Sequence, residues 1–184
     1  MQATNFFTCI FYHKTTLWRM NMYLLSPEST FARLLAANKP SAMATIRGNE
    51  SQSQLNGCTK FFQTPFNGVL IQTEIMGLPN FSENGSSNFY AMHIHEFGDC
   101  TIPFDKTGNH YNPTGSPHPN HSGDLLPLFG IQGYAYSVFF DNRFTIDDII
   151  DRSVIIHSMP DDFTSQPSGN SGEKIGCGTI IRLK

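Results

Sequence analysis

Apolar residues in this chain recur in short runs broken by turn residues rather than in long helical patterns. From Ala42 onward, runs rich in Phe, Ile, Val, Thr and Tyr are bounded by Gly, Pro, Asn or Ser. They predict strands at 42–48, 58–64, 68–77, 88–95, 132–140, 152–158 and 174–182. Repeated short strands without long helical patterns point to an antiparallel sandwich or barrel, an all-β class. A short helix over 27–38 precedes them: Ser26 can cap it, Pro27 fits its first turn, Glu28 suits its positive end, and Asn38-Lys39-Pro40 stops it. Phe31, Leu34 and Leu35 form one apolar face, expected to pack on the outside of the main domain. Two long polar stretches, 96–131 and 157–174, interrupt the strand rhythm, and connections of such length usually carry function.

The first 19 residues fit this pattern poorly. Thr, Cys, His and Lys interrupt their apolar residues, and no basic residue precedes Phe6–Tyr12, so a secretory signal is a poor match. The expectation is an unstructured leader, or translation that begins at Met20 or Met22. The chain then divides into an N-terminal extension, 1–41, and a β domain, 42–184.

Composition narrows the functional classes. A net charge of −3 argues against a strongly basic nucleic-acid or anionic-membrane binder. No stretch approaches the roughly 20 consecutive apolar residues of a membrane span. Charge is uneven: residues 1–92 balance to +2 and residues 93–184 to −5. Six of the seven histidines lie between His93 and His157. An acidic half that gathers nearly all the imidazoles suggests bound cations.

The histidines fall into an ordered constellation. In His93-Ile94-His95, alternate residues of a strand share a face, so both imidazoles can reach one ion while Ile94 enters the core. His118, His121 and Asp124 are spaced by three, but Pro117, Pro119 and Gly123 forbid a regular helix, so this is a folded loop. With His110 it offers three imidazoles and a carboxylate, a set suited to four-coordinate zinc. His157 ends a strand and can return to the face of His93 and His95, and imidazole-rich coordination suits copper.

Five blocks, in this order, resemble the copper,zinc superoxide dismutase family over residues 42–184. They are His93-Ile94-His95-Glu96-Phe97-Gly98-Asp99, Gly108-Asn109-His110-Tyr111-Asn112-Pro113, His121-Ser122-Gly123-Asp124-Leu125, His157 with Asp161-Asp162, and the run Gly169–Gly178. The resemblance implies an eight-stranded Greek-key β-barrel, immunoglobulin-like in architecture, with two long functional loops. It implies copper held by His93, His95, His110 and His157, and zinc held by His110, His118, His121 and Asp124, with His110 bridging. Asp161 matches a carboxylate linking one ligand imidazole on each side, and Cys100 and Cys177 match the family's intramolecular disulfide. Lys174 stands where the family commonly has an arginine beside the copper channel, and would attract an anion as a flexible point charge. Here His118 and His121 are closer in sequence than in familiar members, the 157–174 loop is shorter, and residues 1–41 have no counterpart. Cys58 is expected to be a buried strand residue.

The implied activity is conversion of two superoxide anions and two protons to dioxygen and hydrogen peroxide, by alternate reduction and oxidation of bound copper. His110, Lys174 and Asp161 would serve catalysis. Two other classes fit parts of the pattern. A non-catalytic protein that stores or delivers copper would need a ligand-poor copper site. A zinc hydrolase built on His118, His121 and Asp124 leaves His93, His95 and His157 unexplained. The family often forms homodimers, and the poor signal match favours the cytoplasm over secretion.

Overall fold

A computed structural model describes residues 26–79 and 88–184. The expected leader 1–19, with Cys9 and His13, and the alternative starts Met20 and Met22 lie outside the described residues. Helix α1 runs Pro27–Ala37; the Ser26 hydroxyl accepts from the Ser29 N–H, and Asn38, in left-handed conformation, donates its N–H to Leu34 and Leu35. Asn38 is therefore the cap rather than the last helical residue. Phe31 stacks on Phe140 at 5.6 Å and meets Phe66 edge-on at 5.8 Å, which fixes α1 on the outer surface.

The strands are β1 (Ala42–Gly48), β2 (Asn56–Gln63), β3 (Val69–Met76), β4 (Phe89–Tyr90), β5 (Met92–His95), β6 (Leu128–Phe129), β7 (Tyr134–Asp141), β8 (Ser153–His157) and β9 (Lys174–Arg182). Seven form one curled antiparallel sheet in the order β5-β8-β9-β1-β2-β3-β7, and β4 pairs with β6. Neighbours distant in sequence, β1 with β9, β3 with β7 and β5 with β8, make the Greek key. The expected strand 88–95 breaks at Ala91, whose N–H donates to Met159 and whose carbonyl accepts from His157. Counted as one interrupted strand, β4 and β5 complete eight, and β6 resting against β7 curls the barrel round. Strand β2 starts earlier than expected because Asn56 and Gly57 pair with Met76 and Ile75, and β7 starts later, after a turn at Gln132-Gly133.

Alternate residues of these strands fill the interior. Ala44, Ile46, Phe61, Ile71, Ile75, Ile94, Val154, Ile156 and Ile180 are all wholly buried. Each large aliphatic or aromatic side chain so buried contributes about 1.5–3 kcal/mol. Cys58 faces away from this core and is half-buried, because strand alternation turns Phe61 inward and Cys58 outward. A second short helix, α2 (Ile146–Ile149), escaped the strand reading. Thr145 and Asp148 close a reciprocal capping box around it, and Ile146 and Ile149 point into the core. Among the described residues, no helix is long and apolar enough to cross a membrane.

The long stretch after β5 is not free. It folds back along the exposed edge of β5, where Ile94 N–H donates to Gly123, Tyr111 N–H to Ile94, and Leu125 N–H to Met92. Gly123 allows this approach: a Cβ there would lie 2.3 Å from the Ile94 carbonyl oxygen. The edge is thereby covered, and the His-bearing loop is bound to the His-bearing strand.

Candidate metal centre

Strand β5 places His93 and His95 on one face and Ile94 on the other, all three buried. The folded-back loop brings His110 opposite His95 and Asp124 opposite His93 as backbone bridge partners. His157 arrives from β8 through an irregularity in its pairing with β9, which shifts register between Ile156 and His157 and re-aims the last side chain. Ring centroids of His93 lie 3.9 Å from His110 and 4.9 Å from His157.

Two four-residue groups result: His93, His95, His110 and His157, and His110, His118, His121 and Asp124. In each, one ligand-type atom per residue lies within 4.8 Å of the others, and every member is buried. Each group could hold a metal ion, and His110 belongs to both.

The hydrogen bonds decide which nitrogens face inward. A carboxylate or carbonyl can only accept, so the ring nitrogen against it carries the proton. His93 Nε2 meets Asp161 Oδ2 at 2.9 Å, His95 Nδ1 meets the Gly108 carbonyl at 2.9 Å, and His110 Nδ1 meets Asp124 Oδ1 at 2.7 Å. His157 Nδ1 lies 3.4 Å from the Gly172 carbonyl. The opposite nitrogens are therefore lone pairs. His95 Nε2 and His157 Nε2 face one another at 3.4 Å, and His93 Nδ1 and His110 Nε2 are buried without a hydrogen-bond partner. Lone pairs converging at close range repel one another, and unsatisfied buried nitrogens are costly. A shared cation resolves both problems, so the first group fits a metal ion.

The second group meets that test in part: of its ring nitrogens facing Asp124, only His118 Nδ1 is buried without a hydrogen-bond partner, while those of His110 and His121 contact Asp124 Oδ1. His118 Nε2 donates to Asp161 Oδ1 at 2.8 Å, and its Nδ1, which makes no hydrogen bond, lies 3.0 Å from Asp124 Oδ2. His121 Nδ1 lies 3.2 Å from Asp124 Oδ1, while the His121 N–H donates to Asp124 Oδ2. Three imidazoles thus surround one carboxylate, a donor set suited to a tetrahedral ion.

Asp161 spans the two groups, with one oxygen on His93 and the other on His118. Burial would raise its pKa, but hydrogen bonds from His93, the Phe163 N–H and His118 hold it down at about 2. Gly169 covers this carboxylate with φ at +66°; a Cβ there would sit 2.0 Å from Asp161 Oδ1 and 2.6 Å from His118 Nε2. Burial lowers the His93 pKa to about 4 against the opposing pull of Asp161, and takes His95 and His157 well below the usual histidine value. Neutral imidazoles are the form that binds metals. Asp124 stays ionised: burial acts to raise its pKa, and its contacts with His110, His118 and the His121 N–H outweigh that.

An open cleft of about 470 Å³ leads to the first group, lined by His95, His110, His157, Asn109, Ser168 and Lys174 among others. Lys174 is not a free arm. Its Nζ lies 2.9 Å from Thr107 Oγ1, 3.1 Å from the Gly108 carbonyl and 3.4 Å from the Phe104 carbonyl. Desolvation lowers its pKa from the usual lysine value, partly offset by Asp105. Cys100 and Cys177 form a disulfide with Cα atoms 5.6 Å apart, tying the loop before His110 to β9. The sequence reading missed Arg143, which reaches the carbonyls of His121 and Asp124 from beyond β7. No spacing rule marks it, because it lies 19 residues from Asp124.

This chain is similar to superoxide dismutase [Cu-Zn] 3 of Arabidopsis thaliana, 33% identical over 155 residues that cover 76% of this chain and 88% of that protein. It is also similar to the copper chaperone for superoxide dismutase of Homo sapiens, 31% identical over 158 residues, and to the extracellular superoxide dismutase [Cu-Zn] of Rattus norvegicus, 32% identical over 152. The chain spans 54% and 59% of these two longer relatives. A SOD-like protein from Bacillus subtilis has a similar fold, with a TM-score of 0.65 at 28% identity, covering 76% of this chain and 96% of that one. The clock protein EA4 gives a TM-score of 0.66 at 29% identity, covering 78% and 96%. The sequence model of the family described as copper/zinc superoxide dismutase (SODC) matches residues 55–180, and the chain belongs to that family.

Proposed function

We propose that this chain is a superoxide dismutase, with copper in the group of His93, His95, His110 and His157 and zinc in the group of His110, His118, His121 and Asp124. The observation that carries this reading is the complete set of four inward-facing imidazole nitrogens, two of them buried without a partner. Bound copper supplies one-electron redox chemistry, and bound zinc supplies a fixed positive charge. The balance is two superoxide anions and two protons giving dioxygen and hydrogen peroxide.

The chain's own residues handle position, field and protons. His93 and His95 are oriented by Asp161 and the Gly108 carbonyl, so their inward nitrogens need no rearrangement to bind. His110 serves both groups and lines the cleft, and its Nε2, a buried lone pair without a hydrogen-bond partner, is the atom on which a proton for the product would be carried. An ammonium has three N–H donors, and the three acceptors around Lys174 occupy them. Lys174 therefore draws a small anion into the cleft by its charge rather than by donating to it.

A second reading, copper delivery on the same fold, draws on the similarity to the copper chaperone of Homo sapiens. One experiment separates the two: metal content and superoxide-dependent turnover of protein reconstituted with copper and zinc. About one copper and one zinc per chain with fast turnover, as for diffusion-limited enzymes, supports the dismutase. Full copper loading without turnover, with release of copper to an acceptor protein, supports delivery.

A further inference from the structure

Residues 107–142 hold no lysine or arginine, yet this stretch supplies every member of the second group. The first cation after it is Arg143, and its side chain turns back onto that group. Nη1 donates to the His121 carbonyl at 3.0 Å, and Nη2 donates to the Asp124 carbonyl. The other edge of the guanidinium lies on Asp141, with Nε 3.1 and 3.2 Å from its two oxygens and Nη2 2.6 Å from Oδ2. Asp141 is buried at the end of β7, paired in register with Val69 of β3. The Arg143 N–H also donates to Asp141 Oδ1 at 2.9 Å.

A planar fork is thus fixed to the sheet on one side and grips two carbonyls on the other. Those carbonyls belong to His121 and Asp124, whose ligand-type atoms Nδ1 and Oδ1 lie 3.2 Å apart, and the His121 backbone N–H donates to Asp124 Oδ2. The His121 carbonyl also accepts from the Asp124 N–H at 3.2 Å, but the loop holds no lysine or arginine of its own to span both carbonyls, and an ammonium lacks the rigid spread of donors needed to do so. We propose that Arg143 is the positioning residue of the second group: it sets the spacing of His121 and Asp124, and so how tightly that group holds a divalent metal, without touching the metal. This rests on the reading that the second group binds one.

The test uses the full chain loaded with copper and with either zinc or cobalt(II), comparing wild type, Arg143→Met, Arg143→Lys and the exposed control Arg182→Met. Partners that orient ligands are typically worth about 10–100-fold in affinity. Arg143→Met is expected to release zinc to a chelator about tenfold faster or more, and to shift the visible cobalt(II) band, with copper content and the control unchanged. Arg143→Lys, which keeps the charge and loses the fork, is expected to fall between and carries the test alone if Arg143→Met does not fold. Zinc release within about threefold of wild type and an unmoved cobalt band in the variants overturn the proposal, as does loss of copper in the same proportion as zinc. A wild-type chain that takes up neither zinc nor cobalt(II) overturns the metal reading of the second group itself, and the proposal with it.

Discussion

His93 and Asp161 are 68 residues apart in sequence, yet His93 Nε2 lies 2.9 Å from Asp161 Oδ2, both wholly buried. That contact fixes the His93 ring so that Nδ1 faces the first group. The other oxygen of the same carboxylate does the equivalent for His118 in the second. Asp161→Asn keeps the shape but cannot accept from both rings with the same strength. Metal affinity is expected to fall about 10–100-fold in both groups at once. Competition against a graded series of chelators reads this, and affinities unchanged at either group would remove Asp161 from its orienting role.

Gly169 is the lid on that carboxylate. Alanine at φ +66° is strained by roughly 1–2 kcal/mol, and its Cβ would overlap Asp161 Oδ1. Gly169→Ala should therefore lower the melting temperature and reproduce the metal loss of Asp161→Asn. Normal metal retention with a lowered melting temperature would show that the loop shifts aside and leaves Asp161 in place.

The bond between Cys100 and Cys177 closes a span of 77 residues. Loop-closure entropy puts its contribution at about 4–5 kcal/mol. Cys177 packs with Phe104 and Ile155, so the tie also anchors the loop that carries Gly108, the acceptor for His95. Cys100→Ser is expected to lose most of that stability, measured by denaturant unfolding, and to weaken copper retention. A reductant should act on the wild type in the same direction and leave the variant unchanged.

The metal-free chain should lose stability as pH falls below neutral. His93 titrates near 4 when folded and near 6.5 when unfolded, so between these values the unfolded chain binds the extra proton. The stability is complete above about pH 6.5 and declines toward pH 4. His110, Asp161 and Asp124 face His93, and the two carboxylates only partly oppose the effect of burial. Asp161, held near 2, adds a further decline below its unfolded value, again in the acid direction. Melting temperature of chelator-treated protein between pH 7 and 4 reads this, and a flat profile would contradict it.

The sequence by itself determined the class of fold and the ligand types. Short runs of β-branched and apolar residues bounded by turn residues marked β1, β3, β8 and β9 closely, with alternation in β1 where one face meets the core and a continuous apolar run in β8 where both faces are buried. His93-Ile94-His95 declared its two faces by the same alternation. Ser26, Pro27 and Asn38 bounded α1 through local backbone chemistry, and Thr145 with Asp148 carried an equally local signal for α2 that the surrounding strand pattern obscured. What no local pattern could decide were relationships between distant segments. The break at Ala91 exists because Met159 and His157 claim its backbone, and β6 is two residues long, too short for any period. Lys174 looked like a mobile charge until the barrel set three oxygens around it. The identity of the inward-facing nitrogen on each histidine, and the grip of Arg143 on the second group, depend on acceptors many residues away. Those were decided only when the chain closed on itself, since a hydrogen bond is set by distance and direction in space, and separation along the chain constrains neither.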